Sequence, residues 1–587
     1  MNLSELTFDE FSGHGIDYCS CVSGGGIMYL VDALGENNRI IKKYFHHEQA
    51  AGIASEAYTK ATNRPALCLS TIGPGVANAV SAAFSAYLNS APVIFLSGAK
   101  RTTVPVHYPT QRFTFPQDAD TRSLVSGVVK AYWEIQNEAQ VCTVISEAIH
   151  VATEGRPGPV WISIPLDLQA VNVSPRKQLP LVKKMPHKNI FKELSEFIHR
   201  SKRTVILTGS GADSALDNFE YIEFIKKIGL PCIASIGSGH TIQMAGDLDL
   251  GTFGPVGRRS ANRILVEADS LLVLGSGLDI DITGFDRESF FSGKEVFIIN
   301  SDHRILIKEV SKVTYVTEKL NSINFSAIKE IESLQENWVS YAKLVNKLLS
   351  TQFEIKFHSS DSMSGVDPYL FASRLGALLP EKSAIALGIS LDVVSVSHSM
   401  PLKSGSRTFA SKHCGQLGWD IPASIGLADS GIFERVVCVT GDGSIMFNLQ
   451  DLSTLAKSNI PIHIYLYDNK GYNSIRISQQ THLNGRLHGS DYNDLNFPDW
   501  QLIAQAFGFE YSEIANDSEI EHKVKSHEGI KNIFCVVKID EDRGRTPRLV
   551  SKLDNGKFQS PSLGEQFPYL DRDIVVKLNE LKNRYLL

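Results

Sequence analysis

The chain has 587 residues, of which 43% are hydrophobic and 21% charged, and its formal net charge is −6 at pH 7. This length predicts three or four domains, since single domains usually hold roughly 100 to 200 residues. The small negative charge, without blocks of like charge, excludes nucleic acid and an anionic membrane as main partners. No apolar run approaches the ~18 residues of a membrane span, and the amino-terminal segment does not resemble a signal peptide.

The eight cysteines are scattered along the chain, and several lie inside apolar runs. Cysteine in such a setting behaves as a small buried hydrophobic residue. Cys19 and Cys21 form a lone C-x-C, without the second pair that a zinc site needs. We therefore expect reduced thiols and a cytoplasmic protein.

Short apolar runs alternate with helix-length segments along the chain. In order, the runs are ALCLSTIG, APVIFLSG, GPVWISIP, TVILTGSG, LPCIASIG, DSLLVLGSG, KEVFIINS, KSAIALGIS, RVVCVTGDG, PIHIYLYDN and NIFCVVKID. Strand-like runs that are bounded by Gly and Ser and separated by helices predict parallel sheets with helices on both faces. The expected fold class is α/β, with three doubly wound parallel-sheet domains.

Composition predicts where these domains meet. Residues 173–188, VSPRKQLPLVKKMPHK, are rich in proline and basic side chains and predict a linker. Residues 358–367, HSSDSMSGVD, predict a second join. The expected domains are residues 1–175, 188–340 and 365–550, followed by a tail at 551–587.

The first domain contains a glutamate at the start of a helix of small residues. This is Glu48, in residues 44–78, YFHHEQAAGIASEAYTKATNRPALCLSTIGPGVAN. Taken alone, a glutamate in the first turn is best explained as a complement to the helix dipole. The alternative is a carboxylic acid that performs general acid-base catalysis beside a cofactor, and the third domain bears on that choice.

Two strands of the third domain end in polar residues. Residues 436–472, VVCVTGDGSIMFNLQDLSTLAKSNIPIHIYLYDNKGY, place Asp442 in a GDG turn after one strand and Asn469 after the next, with a plausible helix between. Ligands of doubly wound sheets bind outside the carboxyl ends of the strands, and flanking glycines let the backbone approach a phosphate. Carboxylate and amide oxygens suit Mg²⁺ bound together with phosphates. A lone GDG is a common turn, but the whole unit predicts a diphosphate and magnesium clamp.

This unit resembles the signature of the thiamine diphosphate-dependent enzymes, which begins with GDG and ends with an asparagine pair after the next strand. The resemblance covers nearly the whole chain and is closest to the acetolactate synthase branch. GRPGPVWISIP at 155–165 and LGTFGPVGRRSANRILVEADSLLVLGSGLD at 250–279 support it. It implies a pyrimidine-binding, a central and a diphosphate-binding domain in that order, with thiamine diphosphate and Mg²⁺ as cofactors.

The resemblance assigns the cofactor and metal contacts residue by residue. The metal ligands would be Asp442, Asn469 and the backbone oxygen of Gly471. Asp468 stands where the first asparagine is usual, at a position that is not a ligand. The other expected cofactor contacts are Gly388, Ile389, Ser390, Gly415, Leu417, Gly441, Gly443, Ser444 and Tyr472.

The resemblance also implies which residues act in catalysis. Glu48 would hydrogen-bond the aminopyrimidine ring of the cofactor and so promote proton loss from its reactive carbon. Leu417, in SKHCGQLGWDIPASIGLA at 411–428, would wedge under the cofactor and hold it bent, and Gln117, in FPQDAD at 115–120, would border the active site. Since one subunit of this family supplies the glutamate and the other the clamp, we expect a dimer or tetramer.

Two departures from the family bear on the reaction. Aldehyde-releasing decarboxylases often carry adjacent histidines in the loop around residues 105–115, where this chain has a single His107. Transfer of a two-carbon unit to an acceptor is therefore favoured. The synthases also bind flavin adenine dinucleotide (FAD), but in place of their arginine-containing turn this chain has GSGLDID at 275–281. This departure argues against FAD, which stays a candidate.

The tail after residue 550 is long and polar. Termini are disordered by default, whereas Phe558, Phe567, Tyr569 and Leu570 could close over the active site as a lid. Tails of this kind occur in synthase-like proteins of sugar-modification pathways. The acceptor could therefore be a keto sugar as well as a second keto acid.

Together these patterns predict an enzyme that decarboxylates a 2-keto acid, with pyruvate as the expected donor, and transfers the two-carbon unit to an acceptor carbonyl. Its partners would be these small molecules and further copies of the chain. Two alternatives stay open: a decarboxylase or lyase that releases aldehyde, and a catalytically silent subunit that binds the cofactor. The intact Glu48 argues against the silent subunit.

Overall fold

In the part of the chain that the structure describes, three parallel β-sheets of six strands each form the framework. The computed structural model describes residues 1–104, 117, 120–174, 190–216, 219–284, 286–302, 308, 310, 312–325, 335–358, 364–550, 552–554, 557–559 and 561–587. His107, most of the predicted linker and the centre of the second predicted join lie outside these residues, as does the side chain of Phe558.

The first sheet has the strand order β2-β1-β3-β4-β6-β5. Its strands are β1 (Tyr18–Cys21), β2 (Ile41–Tyr44), β3 (Ala66–Ser70), β4 (Val93–Ala99), β5 (Tyr132–Glu134) and β6 (Val160–Pro165). Its helices are α1 (Leu3–Gly13), α2 (Met28–Glu36), α3 (Glu48–Thr62), α4 (Pro74–Leu88), α5 (Thr121–Val125), α6 (Val141–Thr153) and α7 (Leu166–Gln169). Strands β3 and β6 are buried at every residue, as expected when helices cover both faces of a parallel sheet.

The middle sheet has the order β12-β11-β10-β7-β8-β9. Its strands are β7 (Thr204–Thr208), β8 (Cys232–Ser235), β9 (Asp249–Phe253), β10 (Ser270–Leu274), β11 (Glu295–Asn300) and β12 (Val313–Thr317). Its helices are α8 (Phe191–Arg200), α9 (Phe219–Lys227), α10 (Arg259–Glu267), α11 (Ile280–Thr283), α12 (Arg287–Phe291), α13 (Glu336–Leu348) and α14 (Thr351–His358).

The third sheet has the order β14-β13-β15-β16-β18-β17. Its strands are β13 (Ser383–Leu387), β14 (Arg407–Phe409), β15 (Arg435–Gly441), β16 (Ile462–Asp468), β17 (Glu510–Ile514) and β18 (Asn532–Lys538). Its helices are α15 (Pro368–Leu378), α16 (Leu391–Ser399), α17 (Asp420–Asp429), α18 (Asp442–Ile445), α19 (Leu452–Leu455), α20 (Asn473–His482), α21 (Trp500–Ala506) and α22 (Ile520–Ser526). The expected α/β class with three parallel sheets is confirmed.

The segment between GDG and DN differs from the continuous helix that its sequence predicts. It forms two short α-helices, α18 and α19, separated by the non-helical Asn448 and a 3-10 helix at Leu449–Asp451. The Asn448 amide donates to the carbonyl of Gly418 at 2.7 Å. This contact with another loop competes with regular helix geometry, because an asparagine side chain readily bonds backbone groups outside the helix.

Helices α3 and α17 join the first and third sheets. They pack so closely that a Cβ added to Gly426 of α17 would lie 2.0 Å from the carbonyl oxygen of Ala54 in α3. Small residues permit this approach, and one hydrophobic cluster contains buried side chains from both sheets. The first and third sheets therefore share a core.

The tail is folded in the residues that the structure describes. A hairpin of β19 (Lys552–Asp554) and β20 (Lys557–Gln559) precedes helix α23 (Arg572–Leu586), which packs against α13. Leu578 is 2% exposed within a core of the middle sheet, so a disordered end is the wrong expectation for 561–587. Phe567 and Tyr569 are 42% and 54% exposed. None of the described helices is long and apolar enough to cross a membrane.

Candidate active site

The predicted clamp residues meet at the carboxyl edge of the third sheet. Asp442 follows β15 and Asn469 follows the neighbouring strand β16, and the two residues are 1% and 6% exposed. One Asp442 carboxylate oxygen accepts from the backbone N–H of Gly471 at 3.0 Å, and the other accepts from that of Gly443 at 2.7 Å. The GDG turn is thereby fastened to the loop that follows β16.

Burial dominates the electrostatics of this edge. Burial, with a smaller contribution from the nearby Asp468, raises the pKa of Asp442 to about 7, although the backbone N–H donors lower it. Lys538 lies 2.7 Å from the Asp468 carboxylate. No cluster of three or more His, Cys, Asp or Glu suited to a metal occurs among the residues described above. A cation at this edge would therefore depend on Asp442 together with amide and carbonyl oxygens.

Two glycines of the clamp leave no room for a side chain. A Cβ on Gly443 would lie 2.4 Å from the ring of Tyr472, and one on Gly471 would lie 2.4 Å from the carbonyl oxygen of Ser490. Gly471 also has φ +127°, a conformation that favours glycine. The predicted contact Tyr472 thus packs on the GDG turn.

Two further loops with predicted cofactor contacts lie at the same carboxyl edge of the third sheet. Gly388, Ile389 and Ser390 lie between β13 and α16. Gly415 has φ +65°, and a Cβ on it would lie 3.9 Å from Ile389, so the two loops are close. Leu417, two residues further, is half-buried.

The hydroxyl of Ser444 already bonds protein groups. It donates to the fully buried carboxylate of Asp420 at 2.7 Å and accepts from the N–H of Gly418 at 2.9 Å. Thr440 donates to the same Asp420 oxygen at 2.8 Å. Because a hydroxyl has one hydrogen to donate, we expect a contact from Ser444 to a bound anion to use its backbone N–H.

Glu48 is the first residue of α3 and is 7% exposed. Its carboxylate accepts from the amide of Asn78 at 2.9 Å, and a Cβ on Gly75 of the GPG turn would lie 3.1 Å from its other oxygen. Burial and, to a smaller extent, Glu48 raise the pKa of the neighbouring Cys68 thiol to about 12. The carboxyl group of Glu48 therefore has an amide and an uncharged thiol among its neighbours.

Gln117 and Glu48 both lie next to the GPG turn. Gln117 has φ +67°, and its carbonyl oxygen would lie 2.4 Å from a Cβ on Gly73. The predicted site residues thus form two groups in the chain: Glu48 with Gln117 beside the first sheet, and the clamp with its loops at the third.

Two contributors to these groups have no counterpart in the sequence prediction. Asn78 is the hydrogen-bond donor to Glu48. Arg476 of α20 is 3% exposed and donates to the backbone oxygen of Asn469 at 2.8 Å. Asn78 lies within the stretch quoted for Glu48. However, the sequence alone does not indicate that Asn78 bonds Glu48 or that Arg476 bonds the loop after β16.

A separate cavity of about 950 Å³ opens at the carboxyl ends of β7, β10, β11 and β12. Its lining includes Arg156, Lys319 and His413. Arg156 donates to the Ser90 hydroxyl at 2.7 Å, and Lys319 donates to the Thr153 carbonyl. Burial and the adjacent Lys412 lower the pKa of His413 to about 3, so that its ring is neutral.

Three family models match the chain in succession. Residues 1–118 match the N-terminal TPP binding domain of thiamine pyrophosphate enzymes, residues 191–320 match their central domain, and residues 392–539 match their C-terminal TPP binding domain. Thiamine pyrophosphate (TPP) is another name for thiamine diphosphate. The first match contains Glu48 and Gln117, and the last contains the clamp and the loop with Gly415 and Leu417, whereas residues 388–390 precede it.

Similar curated proteins agree with this assignment. A probable acetolactate synthase large subunit of Methanococcus aeolicus is 26% identical over 89% of this chain and 90% of its own length. The acetolactate synthase isozyme 1 large subunit of Escherichia coli K12 is 26% identical over 86% and 88%, respectively. The acetolactate synthase large subunit of Haemophilus influenzae Rd is 26% identical over 93% and 96%. The chain therefore belongs to the thiamine pyrophosphate enzymes, as a thiamine diphosphate-dependent enzyme of the acetolactate synthase-like carboligase branch.

Proposed function

We propose that this protein is a thiamine diphosphate- and Mg²⁺-dependent carboligase. It decarboxylates a 2-keto acid, pyruvate in our proposal, and transfers the two-carbon unit to the carbonyl of a keto acid or keto sugar. The observation that carries the proposal is the bond from the Gly471 N–H to Asp442, because it brings the GDG turn and the DN loop together as one clamp.

The residues of this clamp fit a divalent cation with a diphosphate. Asp442, the side chain of Asn469 and the carbonyl of Gly471 would supply hard oxygen ligands of the kind that Mg²⁺ prefers. The tight packing of Gly443 and Gly471 places backbone, without side chains, next to the carboxylate. Gly441, the first glycine of the GDG turn, has no described atom within 4 Å of an added Cβ, and open backbone of this kind suits close approach of a phosphate.

Glu48 has the surroundings that proton transfer requires. When bound, thiamine diphosphate supplies a positively charged ring that takes up the electrons released by decarboxylation. Glu48 would hold a proton at its carboxyl oxygen and share it with the aminopyrimidine ring, while the Asn78 amide keeps the carboxyl group oriented. Leu417 would support the bent cofactor, and Gln117 would face the substrate from the GPG turn.

We include no flavin in the cofactor set. The turn after β10 carries no arginine, and Arg287, which lines the cavity from α12, donates to the Leu278 carbonyl and the Thr283 hydroxyl. The backbones of Gly211 and Gly275 are in contact, with the Gly211 N–H donating to the Gly275 carbonyl at 3.0 Å. The cations Arg156 and Lys319 are engaged with protein groups. A purified protein without flavin absorbance is the expected result.

We further propose that the active site forms between two chains, with Glu48 from one and Asp442 from the other. Two inactive variants, Glu48→Gln and Asp442→Asn, then complement each other when mixed, because a heterodimer contains one intact site. Random exchange of subunits would restore about a quarter of wild-type activity. Absence of any recovery after confirmed subunit exchange would refute the shared site.

The function can be tested by carbon-13 NMR of the purified protein with labelled pyruvate, with and without thiamine diphosphate and Mg²⁺. Acceptors would be pyruvate itself, a second 2-keto acid and a keto sugar. The Glu48→Gln variant should lose the reaction, whereas Glu36→Gln, which changes an exposed glutamate on α2, should retain it.

The products separate the proposal from its alternatives. A cofactor-dependent ligation product supports the carboligase and identifies the acceptor. Acetaldehyde alone would instead establish a decarboxylase. Cofactor binding without turnover of any 2-keto acid, with Glu48→Gln identical to wild type, would show the silent subunit.

A further inference from the structure

Arg476 is a buried cation that the proposed chemistry does not use. It lies in α20, four residues after Tyr472, and is 3% exposed. Its guanidinium donates to three backbone carbonyls: Asn469 at 2.8 Å, Lys470 at 3.1 Å and Glu541 at 2.6 Å. An arginine buried against carbonyl oxygens of two separate segments links those segments, since its planar fork presents five donors in fixed directions.

The first of these segments is the metal loop, which we define as residues 469–471. Lys470 has φ +58° and Gly471 has φ +127°. A non-glycine residue at positive φ is held there at a cost by its surroundings. Arg476 bonds the carbonyls of both peptide units that flank Lys470 at this bend. It therefore stabilises the conformation in which the Gly471 N–H reaches Asp442.

The second segment, residues 541–549, runs from β18 towards the middle sheet. The carbonyl of Glu541 accepts from Asn473 as well as from Arg476, at 2.7 Å. Further along, the Thr546 N–H donates to the Tyr369 hydroxyl at 2.8 Å, and the Leu549 N–H donates to the Pro255 carbonyl at 2.7 Å. Arg476 thus joins the metal loop to a strap that is attached to both the third and the middle sheets.

We propose that Arg476 is a positioning residue that fixes the metal loop to the 541–549 strap and so sets the affinity for Mg²⁺ with the diphosphate. This inference rests on the proposed function. Lysine, with one compact ammonium group, could satisfy only part of the carbonyl set. Methionine could satisfy none of it and would leave the exposed Lys470–Glu541 ion pair, at 2.8 Å, as the side-chain link between the metal loop and the strap.

The test compares Arg476→Met and Arg476→Lys with wild type. A matched control is Arg486→Met, which makes the same change at an exposed arginine just after α20. Binding of thiamine diphosphate is followed by calorimetry over a series of Mg²⁺ concentrations. Amide hydrogen exchange of the cofactor-free proteins is measured at 469–473 and 541–549.

We expect Arg476→Met to raise the half-saturating Mg²⁺ concentration at least about tenfold, since charge-assisted hydrogen bonds are lost. Turnover at saturating Mg²⁺ should stay within about threefold of wild type, because the ligands are unchanged. Arg476→Lys should lie between Arg476→Met and wild type. Exchange should accelerate in both segments together in Arg476→Met and not in Arg486→Met.

An Arg476→Met protein with wild-type Mg²⁺ dependence and unchanged exchange would overturn the inference. So would faster exchange at one segment alone, since the link predicts both. If Arg476→Met does not fold, Arg476→Lys decides by the same criteria. A wild-type protein that binds no thiamine diphosphate with Mg²⁺ would refute the proposed function and with it the affinity role, whereas the exchange comparison would still support or overturn the link itself.

Discussion

Replacing Asp392 by asparagine should stabilise the protein above neutral pH. Asp392 is 3% exposed in the first turn of α16, where one carboxylate oxygen accepts from the Ser390 N–H at 2.9 Å. The other oxygen is buried and has no hydrogen-bond partner among the described residues. A Cβ on Gly388 would lie 2.1 Å from that oxygen and 3.2 Å from a carboxylate oxygen of Asp420, so two buried acids crowd one glycine.

Burial raises the pKa of Asp392 above its ordinary 3.8, the Ser390 N–H lowers it and the charge of Asp420 adds to the rise, and the resulting pKa is about 7. Folding therefore favours the protonated acid. The associated stability is fully present below about pH 4 and is lost as the pH rises to about 7. About three pKa units correspond to roughly 4 kcal/mol at pH 8, which is an upper value for a buried group.

Asparagine keeps an oxygen for the Ser390 N–H and carries no charge. Asp392→Asn should therefore raise the free energy of unfolding by up to about 4 kcal/mol at pH 8, and by almost nothing at pH 4. Urea unfolding at both pH values, followed by circular dichroism, measures the difference. Asp32→Asn, at an exposed site on α2, is the control. A gain that does not depend on pH, or a loss at pH 8, would refute the reasoning.

Three further changes test the packing. Gly426→Ala should lower the thermal midpoint by several degrees, because its methyl group would meet the Ala54 carbonyl and separate α17 from α3; an unchanged midpoint would contradict this contact. Leu578→Ala should cost about 2 to 5 kcal/mol and speed tryptic cleavage of α23, whereas wild-type cleavage would show that the helix does not depend on this side chain. Asn89→Ala should cost about 1 to 3 kcal/mol in urea, because Asn89 donates to the buried Glu56 carboxylate at 2.9 Å, and no loss would disprove that role.

The buried strands could be predicted from the sequence because their signal is local. All eleven apolar runs coincide with strands, from β3 to β18. The strands without a predicted run include edge strands such as β2, whose sequence IKKY is partly exposed. An edge strand has one neighbour and needs less apolar surface, so composition does not distinguish it from a loop.

The same limit applies to the candidate site. Asp442 and the loop after β16 could be placed together because the carboxyl ends of adjacent parallel strands meet at one edge, and Gly471 does bond Asp442. Arg476 could not be predicted, because one of its partners is the backbone of Glu541, 65 residues away in the chain. A bond to a distant carbonyl depends on tertiary structure and leaves no pattern in residue types.

The packing of α23 on α13 affects the order in which the molecule can fold during synthesis. Domains emerging from the ribosome generally fold from the amino terminus onwards. The middle sheet, however, takes Leu578 into its core, and Lys582 of α23 lies 2.8 Å from the Glu267 carboxylate of α10. Although its own strands end at Thr317, this sheet must leave apolar surface uncovered until residues beyond 580 have been made. The core of the middle sheet is therefore the last of the three to be completed during synthesis. Its apolar surface stays exposed longest, so this sheet has the greatest need of protection from aggregation.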